Sequence, residues 1–237
     1  MLIELVLISI LSVVQSVLGV GLLVFGTPTM ILLGHSFQYT LSILLPSSLI
    51  ISLLQYNLSK HHIEKERKMI SFFSLPFLVI GLVIILRLEN SLELKWILSF
   101  ILTFSALLRM IPSLSKIFDR RIKKFEGLYL MVLGLVHGLT NLGGGLLTLY
   151  AASKGKEKIQ MRGIISFGYL VFGIVQIIIL LIFHSDLIHF KMILYPVSSG
   201  VIFYLVGNKI FKKIPEKLFT HLITLLIFLY GILLPLS

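Results

Sequence analysis

Residues 137–148 combine polar side chains and glycines in a pattern that could bind a small ligand inside a membrane. They read His-Gly-Leu-Thr-Asn-Leu-Gly-Gly-Gly-Leu-Leu-Thr and lie in a long apolar run, residues 128–152. Each glycine costs a helix about 1 kcal/mol relative to alanine, so three in succession predict that the helix breaks here. The side chains of Thr140 and Asn141 can hydrogen-bond the backbone that such a break frees. Broken backbone at membrane depth is stable only where protein or a watery cavity surrounds it, so this break is the first candidate site.

Composition predicts an all-α polytopic membrane protein. Of the 237 residues, 57% are apolar and 13% are charged, whereas soluble domains average about half and about a quarter. Apolar runs of roughly the length that crosses a bilayer recur along the whole chain. The approximate bounds of these runs are 2–33, 38–58, 69–86, 96–112, 126–152, 163–183, 190–206 and 218–236.

Several classes of function are disfavoured. The chain has no cysteine, which excludes disulfides, thiolate metal sites and cysteine nucleophiles. Its net charge of +11 comes from basic residues between the apolar runs, which indicates orientation in the membrane rather than nucleic-acid binding. No hydrolase, zinc or phosphate-loop motif occurs, so we expect no enzyme activity, no cofactor and no metal site. Glu4 stands at the apolar N-terminus with no lysine or arginine before it, so we expect no cleaved signal peptide.

The two halves of the sequence match at a constant offset of 122 residues. The matched positions are Glu4 with Glu126, Gly21 with Gly143, Gln38 with Gln160, and Ser12 and Ser16 with Gly134 and Gly138. Because the apolar runs also follow the same order, these matches indicate an internal duplication. We predict a first membrane repeat in residues 1–112, a basic cytoplasmic linker in residues 113–125 and a second membrane repeat in residues 126–237.

Loop charge predicts the topology. Of the 21 lysines and arginines, 17 lie in residues 59–68, 113–125, 153–162 and 208–217, and the positive-inside rule places these loops in the cytoplasm. The run 126–152 lies between two of them, and its length is too short for two crossings of about 20 residues each. It therefore predicts a re-entrant hairpin. By symmetry the first run, residues 2–33, forms a hairpin from outside, and three transmembrane helices complete each repeat. An odd number of crossings makes the repeats inverted, a common design of secondary transporters.

With this arrangement the chain resembles the sulfite exporter TauE/SafE family of bacterial membrane proteins. The resemblance spans the whole chain and rests on a glycine-rich break in each half, at residues 19–28 and 141–148. The first half departs from the family pattern at Leu22 and Leu23, which replace glycines, and the second at Tyr150, where the first half has a proline. The resemblance implies a multi-pass protein of the plasma membrane that exports a small anion of the sulfite, sulfonate or organic-acid type.

The helix breaks could bind such an anion through their backbone. Free N–H groups converge at a helix N-terminus, and the helix dipole favours negative charge there. Half-helices that begin near Gly21 and near Gly144 would direct two N-termini at the membrane midplane without a costly buried lysine or arginine. The candidate substrate-binding residues are Gly19, Gly21, Thr27, Thr140, Asn141, Gly143, Gly144 and Gly145. Side chains that could complete the site are Gln15, Ser47, Ser48 and Thr148, although each hydroxyl could equally bond its own helix.

Five other residues need separate interpretations, and two of them, His137 and Arg162, have two interpretations each. His137 could be structural or could carry a coupled proton, because an ordinary histidine has a pKa of about 6.5. Arg109 and Arg162 lie near the ends of apolar runs, where a long side chain extends to the membrane surface by default. Arg162 could instead meet an anion at the inner mouth. Gly134 and Gly138 are spaced for close helix contact.

The expected function is therefore a secondary transporter that exports a small anion. A passive anion channel and a non-transporting scaffold or accessory subunit remain as alternatives, since both can share this architecture. The expected partners are the small anionic substrate and the lipid bilayer, with no nucleic acid, and a homo-oligomer is compatible with the sequence.

Overall fold

The computed structural model describes residues 2–60, 63–87, 121–122, 124–154, 157–187 and 189–215, with residues 100, 103, 218, 221, 225, 228 and 229. All regular structure in this part of the chain is helical, as the sequence predicts. The main helices are α1 (Leu2–Leu18), α2 (Leu22–Leu32), α3 (Phe37–Ser59), α4 (Glu64–Arg87), α5 (Glu126–Thr140), α6 (Gly144–Lys154), α7 (Lys158–Phe183), α8 (Leu194–Ile202) and α9 (Asn208–Lys213). A π-helical turn, Phe203–Gly207, joins α8 to α9.

Three of these helices, α3, α4 and α7, are long and apolar enough to cross a membrane, while α1, α2 and α5 are shorter apolar helices. This pattern agrees with the predicted helical membrane protein. Most of the predicted runs 96–112 and 218–236 and most of the 113–125 linker lie outside the described residues. The division into two repeats and a linker therefore stays a prediction.

Both glycine-rich runs interrupt a helix where the sequence predicts. In the first half α1 ends at Leu18 and α2 begins at Leu22, with Gly19 in the left-handed region at φ 77°. In the second half α5 ends at Thr140 and α6 begins at Gly144, and the connecting Asn141 has φ 62°. Asparagine tolerates this conformation better than other residues with a side chain, which explains why it stands at the turn.

The helices extend further into the basic loops than the apolar pattern suggests. Within the loop expected at residues 153–162, α6 runs to Lys154 and α7 begins at Lys158. Similarly, α4 begins at Glu64 and α9 occupies residues 208–213. Lysine, arginine and glutamate are good helix formers, so a helix continues through them after its apolar stretch has ended.

Helix contacts run crosswise between the two halves. The first helix of the second half, α5, packs along α4, while α1 packs against α8 and α9, and α3 packs against α7. Gly134 and Gly138 bring α5 so close to α4 that an added Cβ would overlap the carbonyl oxygens of Ser74 and Leu78. These two glycines are therefore packing residues, as their spacing predicts.

A carboxylate fastens the start of each broken helix. Glu4 accepts hydrogen bonds from the hydroxyls of Tyr39, at 2.9 Å, and Tyr195, at 2.6 Å. The matched Glu126 accepts one from the Tyr150 hydroxyl at 2.7 Å and pairs with the Lys154 ammonium at 2.9 Å. In the second half this pairing joins the beginning of α5 to the end of α6, so it closes the base of the broken-helix pair.

Candidate functional site

Asn141 is the centre of the second helix break. Its backbone N–H still donates to the His137 carbonyl at 2.7 Å, so the turn follows directly from the end of α5. The next amide, that of Leu142, donates to the Thr140 hydroxyl at 3.1 Å, and α6 then starts with the Leu147 amide bonded to the Gly143 carbonyl at 2.8 Å. The local sequence thus places one amide side chain between the C-terminus of α5 and the N-terminus of α6.

The Asn141 side chain joins three helices. Its Nδ2 donates to the Thr27 hydroxyl on α2 at 2.9 Å, and its Oδ1 accepts from the Gln176 amide on α7 at 3.3 Å. All three side chains are fully buried. Two of the sequence candidates, Asn141 and Thr27, therefore meet although 114 residues separate them.

Four buried polar atoms around this centre have no hydrogen-bond partner among the described residues. They are Nδ1 and Nε2 of His137, the hydroxyl of Tyr169 and Oε1 of Gln176. The Gln176 amide lies beside the His137 ring, but no hydrogen bond of good geometry joins them. A buried polar group without a partner costs about 1–3 kcal/mol, so native proteins keep few of them. Their concentration at one helix break indicates a site that is built to bind something polar.

Tyr169 faces the N-terminus of α6. Its hydroxyl lies so close to Gly144 that an added Cβ there would overlap it and also the Val24 side chain. The Tyr169 ring is also in edge contact with His137, with ring centroids 5.8 Å apart. We define the second-break cluster as the side chains of Thr27, His137, Asn141, Tyr169 and Gln176, together with the backbone at Gly144.

The first break is built differently. There Gln15 Oε1 accepts from the Leu22 amide at 3.1 Å, so a side chain already caps the N-terminus of α2. The other end of Gln15 donates to the Ser48 hydroxyl at 2.9 Å. Gly19 and Gly21, both predicted to bind substrate, have Ile165 and Gln15 as their nearest neighbours. The structure thus brings Thr27, but neither of these glycines, to the second-break cluster.

The other predicted residues occupy varied positions. Thr140 bonds back to the Val136 carbonyl at 2.7 Å, and Thr148 bonds to the Gly145 carbonyl at 2.8 Å. Gly143 lies against the His137 side chain, and Gly145 is buried in the first turn of α6. Ser47, on α3, is buried with no partner for its hydroxyl among the described residues.

Sequence reasoning missed Tyr169 and Gln176. Both belong to α7, where Arg162, Tyr169 and Gln176 are spaced seven residues apart. Seven residues complete almost two helical turns, so the three side chains share one face. A buried polar face on an otherwise apolar helix was the available signal, because polar residues within a membrane helix usually face the protein interior.

Arg162 does not extend to the membrane surface, and the default expectation for this residue was wrong. It is only 4% exposed, and its Nε donates to the Ser59 hydroxyl at 3.0 Å. Its Nη1 donates to the Asn208 side-chain oxygen at 3.3 Å, and the guanidinium lies 3.7 Å from the Phe211 ring centroid. Arg109 lies outside the described residues. Among the described residues no group of histidine and acidic side chains is arranged to hold a metal ion.

The fold and the second-break cluster define a helical membrane protein with a buried polar site at a helix break. The chain matches the family described as sulfite exporter TauE/SafE over residues 5–234, and it belongs to that family. Membership makes it a membrane transport protein of the sulfite or anion exporter type rather than an enzyme. No curated protein and no solved structure shows a significant match to the chain.

Proposed function

We propose that this protein is a secondary transporter that exports a small anion of the sulfite, sulfonate or organic-acid type across the plasma membrane. The anion binds at the second-break cluster, near the middle of the membrane. The observation that carries this proposal is the pair of buried groups with an unpartnered donor, the Tyr169 hydroxyl and the His137 imidazole, gathered at the N-terminus of α6. Family membership supports the transport of an anion, and the cluster supports its place of binding.

The chemistry of the cluster suits an oxyanion. The Tyr169 hydroxyl and one imidazole N–H of His137 are unpartnered donors, and neither group is a permanent cation. The amide nitrogens of Asn141 and Gln176 already donate within the cluster, and each keeps one further N–H. The positive end of the α6 dipole adds to them. Hydrogen bonds to a charged acceptor are worth about 1.5–3 kcal/mol each, so a few neutral donors stabilise an anion without the cost of burying a lysine.

The structure corresponds to a state in which the site is closed. Thr27 on α2 and Gln176 on α7 both bond to Asn141, and all three are fully buried. A transporter holds its substrate at such a buried site in its occluded state, and a continuous anion current would identify a channel instead. The anion reaches the cluster when α2 or α7 separates from the break.

The crosswise contacts support a two-fold relation between the repeats, and the loop charges favour its inverted form. At an offset of 122 residues the contact of α5 with α4 corresponds to the contact of α1 with α8 and α9. A two-fold axis in the membrane plane relates such contacts when the repeats have opposite orientation. In this arrangement each broken-helix pair is a re-entrant hairpin. The contact between α3 and α7 lies at the centre, and the repeats move about it to expose the anion site to one side of the membrane at a time.

Transport in proteoliposomes tests the proposal. Sulfite efflux is measured for the parent protein and for Asn141→Leu, which removes both hydrogen bonds to Thr27 and Gln176 and also places leucine at a positive φ. Thr27→Val, which removes the Thr27 hydroxyl without changing the backbone at the break, separates the two effects. We expect Asn141→Leu to lose at least nine-tenths of the efflux. The matched control is Gly173→Ala, on α7 between two cluster residues, where the new methyl group would meet only Leu49 at 3.4 Å.

The outcomes separate the candidate functions. Single-channel currents carried by sulfite would show a channel instead of a transporter. Equal efflux from Asn141→Leu and the parent, with both purified as a single folded species, would place the binding site elsewhere. No efflux from the parent with any of sulfite, methanesulfonate and acetate would contradict the transport function itself.

A further inference from the structure

Arg162 is a buried cation without a carboxylate partner among the described residues. Its two side-chain hydrogen bonds go to neutral oxygens, those of Ser59 and Asn208. The ion pairs that do occur in the described part of the chain use other residues, Glu4 with His35 and Glu126 with Lys154. A buried charge without a counter-ion is costly, and a guanidinium has five N–H donors, so Arg162 retains donors for another acceptor.

Arg162 lies where three basic segments meet. Ser59 is the last residue of α3, Arg162 is in the second turn of α7, and Asn208 begins α9. These ends adjoin the loops that the positive-inside rule places in the cytoplasm. Lys158, one turn earlier on α7, donates to the carbonyls of Phe211 and Ile214 at 3.2 and 2.9 Å, so its ammonium is already engaged by backbone acceptors. The field at this point attracts anions.

The buried face of α7 connects this position to the second-break cluster. Arg162, Tyr169 and Gln176 follow one another at intervals of seven residues, which is about 10.5 Å along the helix axis. All three side chains are buried. At the matched positions of α3, 122 residues earlier, stand Thr40, Ser47 and Leu54, so the other half has no cation in the corresponding place.

We propose that Arg162, with Ser59 and Asn208, forms a second anion-binding site at the cytoplasmic mouth, from which an oxyanion passes along the α7 face to Tyr169. This inference rests on the proposed export function. A guanidinium fits an oxyanion because its planar N–H groups bind two oxygens at once, which a lysine cannot do. The Phe211 ring, 3.7 Å from the guanidinium, holds that plane in a fixed orientation.

A structural role for Arg162 makes a different prediction. If Arg162 only fastens α7 to α9 through Phe211, its loss lowers stability and changes transport equally from both sides. If it receives the anion, its loss raises the KM for anion presented on the cytoplasmic face and leaves the maximal rate nearly unchanged, because saturating anion fills the central site without it.

The experiment compares Arg162→Gln with Lys158→Gln in proteoliposomes, with sulfite presented to one face at a time. Both substitutions remove one positive charge next to Phe211, but the Lys158 ammonium is already bonded to backbone carbonyls. We expect Arg162→Gln to raise the cytoplasmic KM by about tenfold or more, Lys158→Gln to change it less than threefold, and Arg162→Lys to recover only part of the loss.

Equilibrium binding of radiolabelled sulfite to the purified protein separates this proposal from the first. We expect two anions per parent chain, one in Arg162→Gln and one in Asn141→Leu. If Asn141→Leu abolishes transport while Arg162→Gln behaves like Lys158→Gln, the mouth site is refuted and the central site stands. If Arg162→Gln shifts KM equally from both faces, Arg162 is structural. If the parent neither binds nor transports an anion, the proposed export function is refuted, and the mouth site is refuted with it.

Discussion

Tyr169→Phe is expected to act in opposite directions on stability and on anion binding. The Tyr169 hydroxyl is buried and has no partner among the described residues. Phenylalanine keeps the ring, which contacts His137, and removes only this oxygen. The substitution therefore leaves the shape of the second-break cluster almost intact while it removes one donor from the N-terminus of α6.

The structure sets the magnitude of both effects. Without anion, the loss of an unpartnered buried hydroxyl should raise the free energy of unfolding by about 1 kcal/mol, because its desolvation is no longer required. For a chain of this size that corresponds to roughly 2–4 °C in Tm. With anion, the lost charged hydrogen bond is worth about 1.5–3 kcal/mol, which weakens the affinity by about 10- to 150-fold.

Thermal unfolding of the purified protein in detergent, with and without sulfite, measures both quantities. A ligand that binds the folded state raises Tm, so sulfite should stabilise the parent well beyond its effect on Tyr169→Phe. The Tm of Tyr169→Phe should therefore exceed that of the parent without sulfite and lie below it at high sulfite concentration. The reasoning is refuted if Tyr169→Phe is less stable than the parent in the absence of sulfite and binds sulfite equally well, since the hydroxyl would then be an internal structural group.

Three further substitutions test the site and the topology. Gly144→Ala places a methyl group against the Tyr169 hydroxyl and Val24, so we expect it to abolish sulfite efflux, while Gly173→Ala keeps near-parental rates. His137→Gln should uncouple efflux from the pH gradient if His137 carries the coupled proton; an unchanged pH profile would make it structural. Because the chain lacks cysteine, single-cysteine labelling can report topology. Ser153→Cys should react with a membrane-impermeant reagent from the cytoplasm and Ser36→Cys from outside, and the opposite pattern for either contradicts the predicted hairpins.

The breaks and their bounds could be predicted because their cause is local. Three successive glycines weaken a helix whatever surrounds it, and Asn141 at the turn follows from its tolerance of positive φ. Apolar length alone does not indicate that helices continue into the basic segments, where α7 begins at Lys158 and α4 at Glu64, both good helix formers.

The remainder of the site depends on contacts between distant segments. Gln15 caps the first break only because α3 brings Ser48 to its other end, so the two breaks look equivalent in sequence and differ in structure. Tyr169 and Gln176 join the site only because α7 packs against α6 and Asn141 in the folded protein. Arg162 was expected at the membrane surface, but three helix ends converge and cover it.

The effect of substituting Gly134 also depends on a contact with a distant segment, which the sequence does not reveal. The spacing of Gly134 with Gly138 predicts a packing role, but not how closely the neighbouring helix approaches. The Ser74 carbonyl lies where the new methyl group would go, so Gly134→Ala should destabilise the contact between α4 and α5 and is unsuitable as a control.

The crosswise helix contacts also impose an order on biosynthesis. α5 meets a partner, α4, that has already been made, but α1 must wait for α8. The hydrogen bonds from Tyr195 to Glu4 and from Ser12 to Ser199 join residues 191 and 187 positions apart. At about 5–20 residues per second, a ribosome needs roughly 10–40 s to supply those partners. During that interval Ser12 and the Tyr195 side of Glu4 are without their final bonds, whereas the bonds of Glu4 to Tyr39 and of Gln15 to Ser48 can already form.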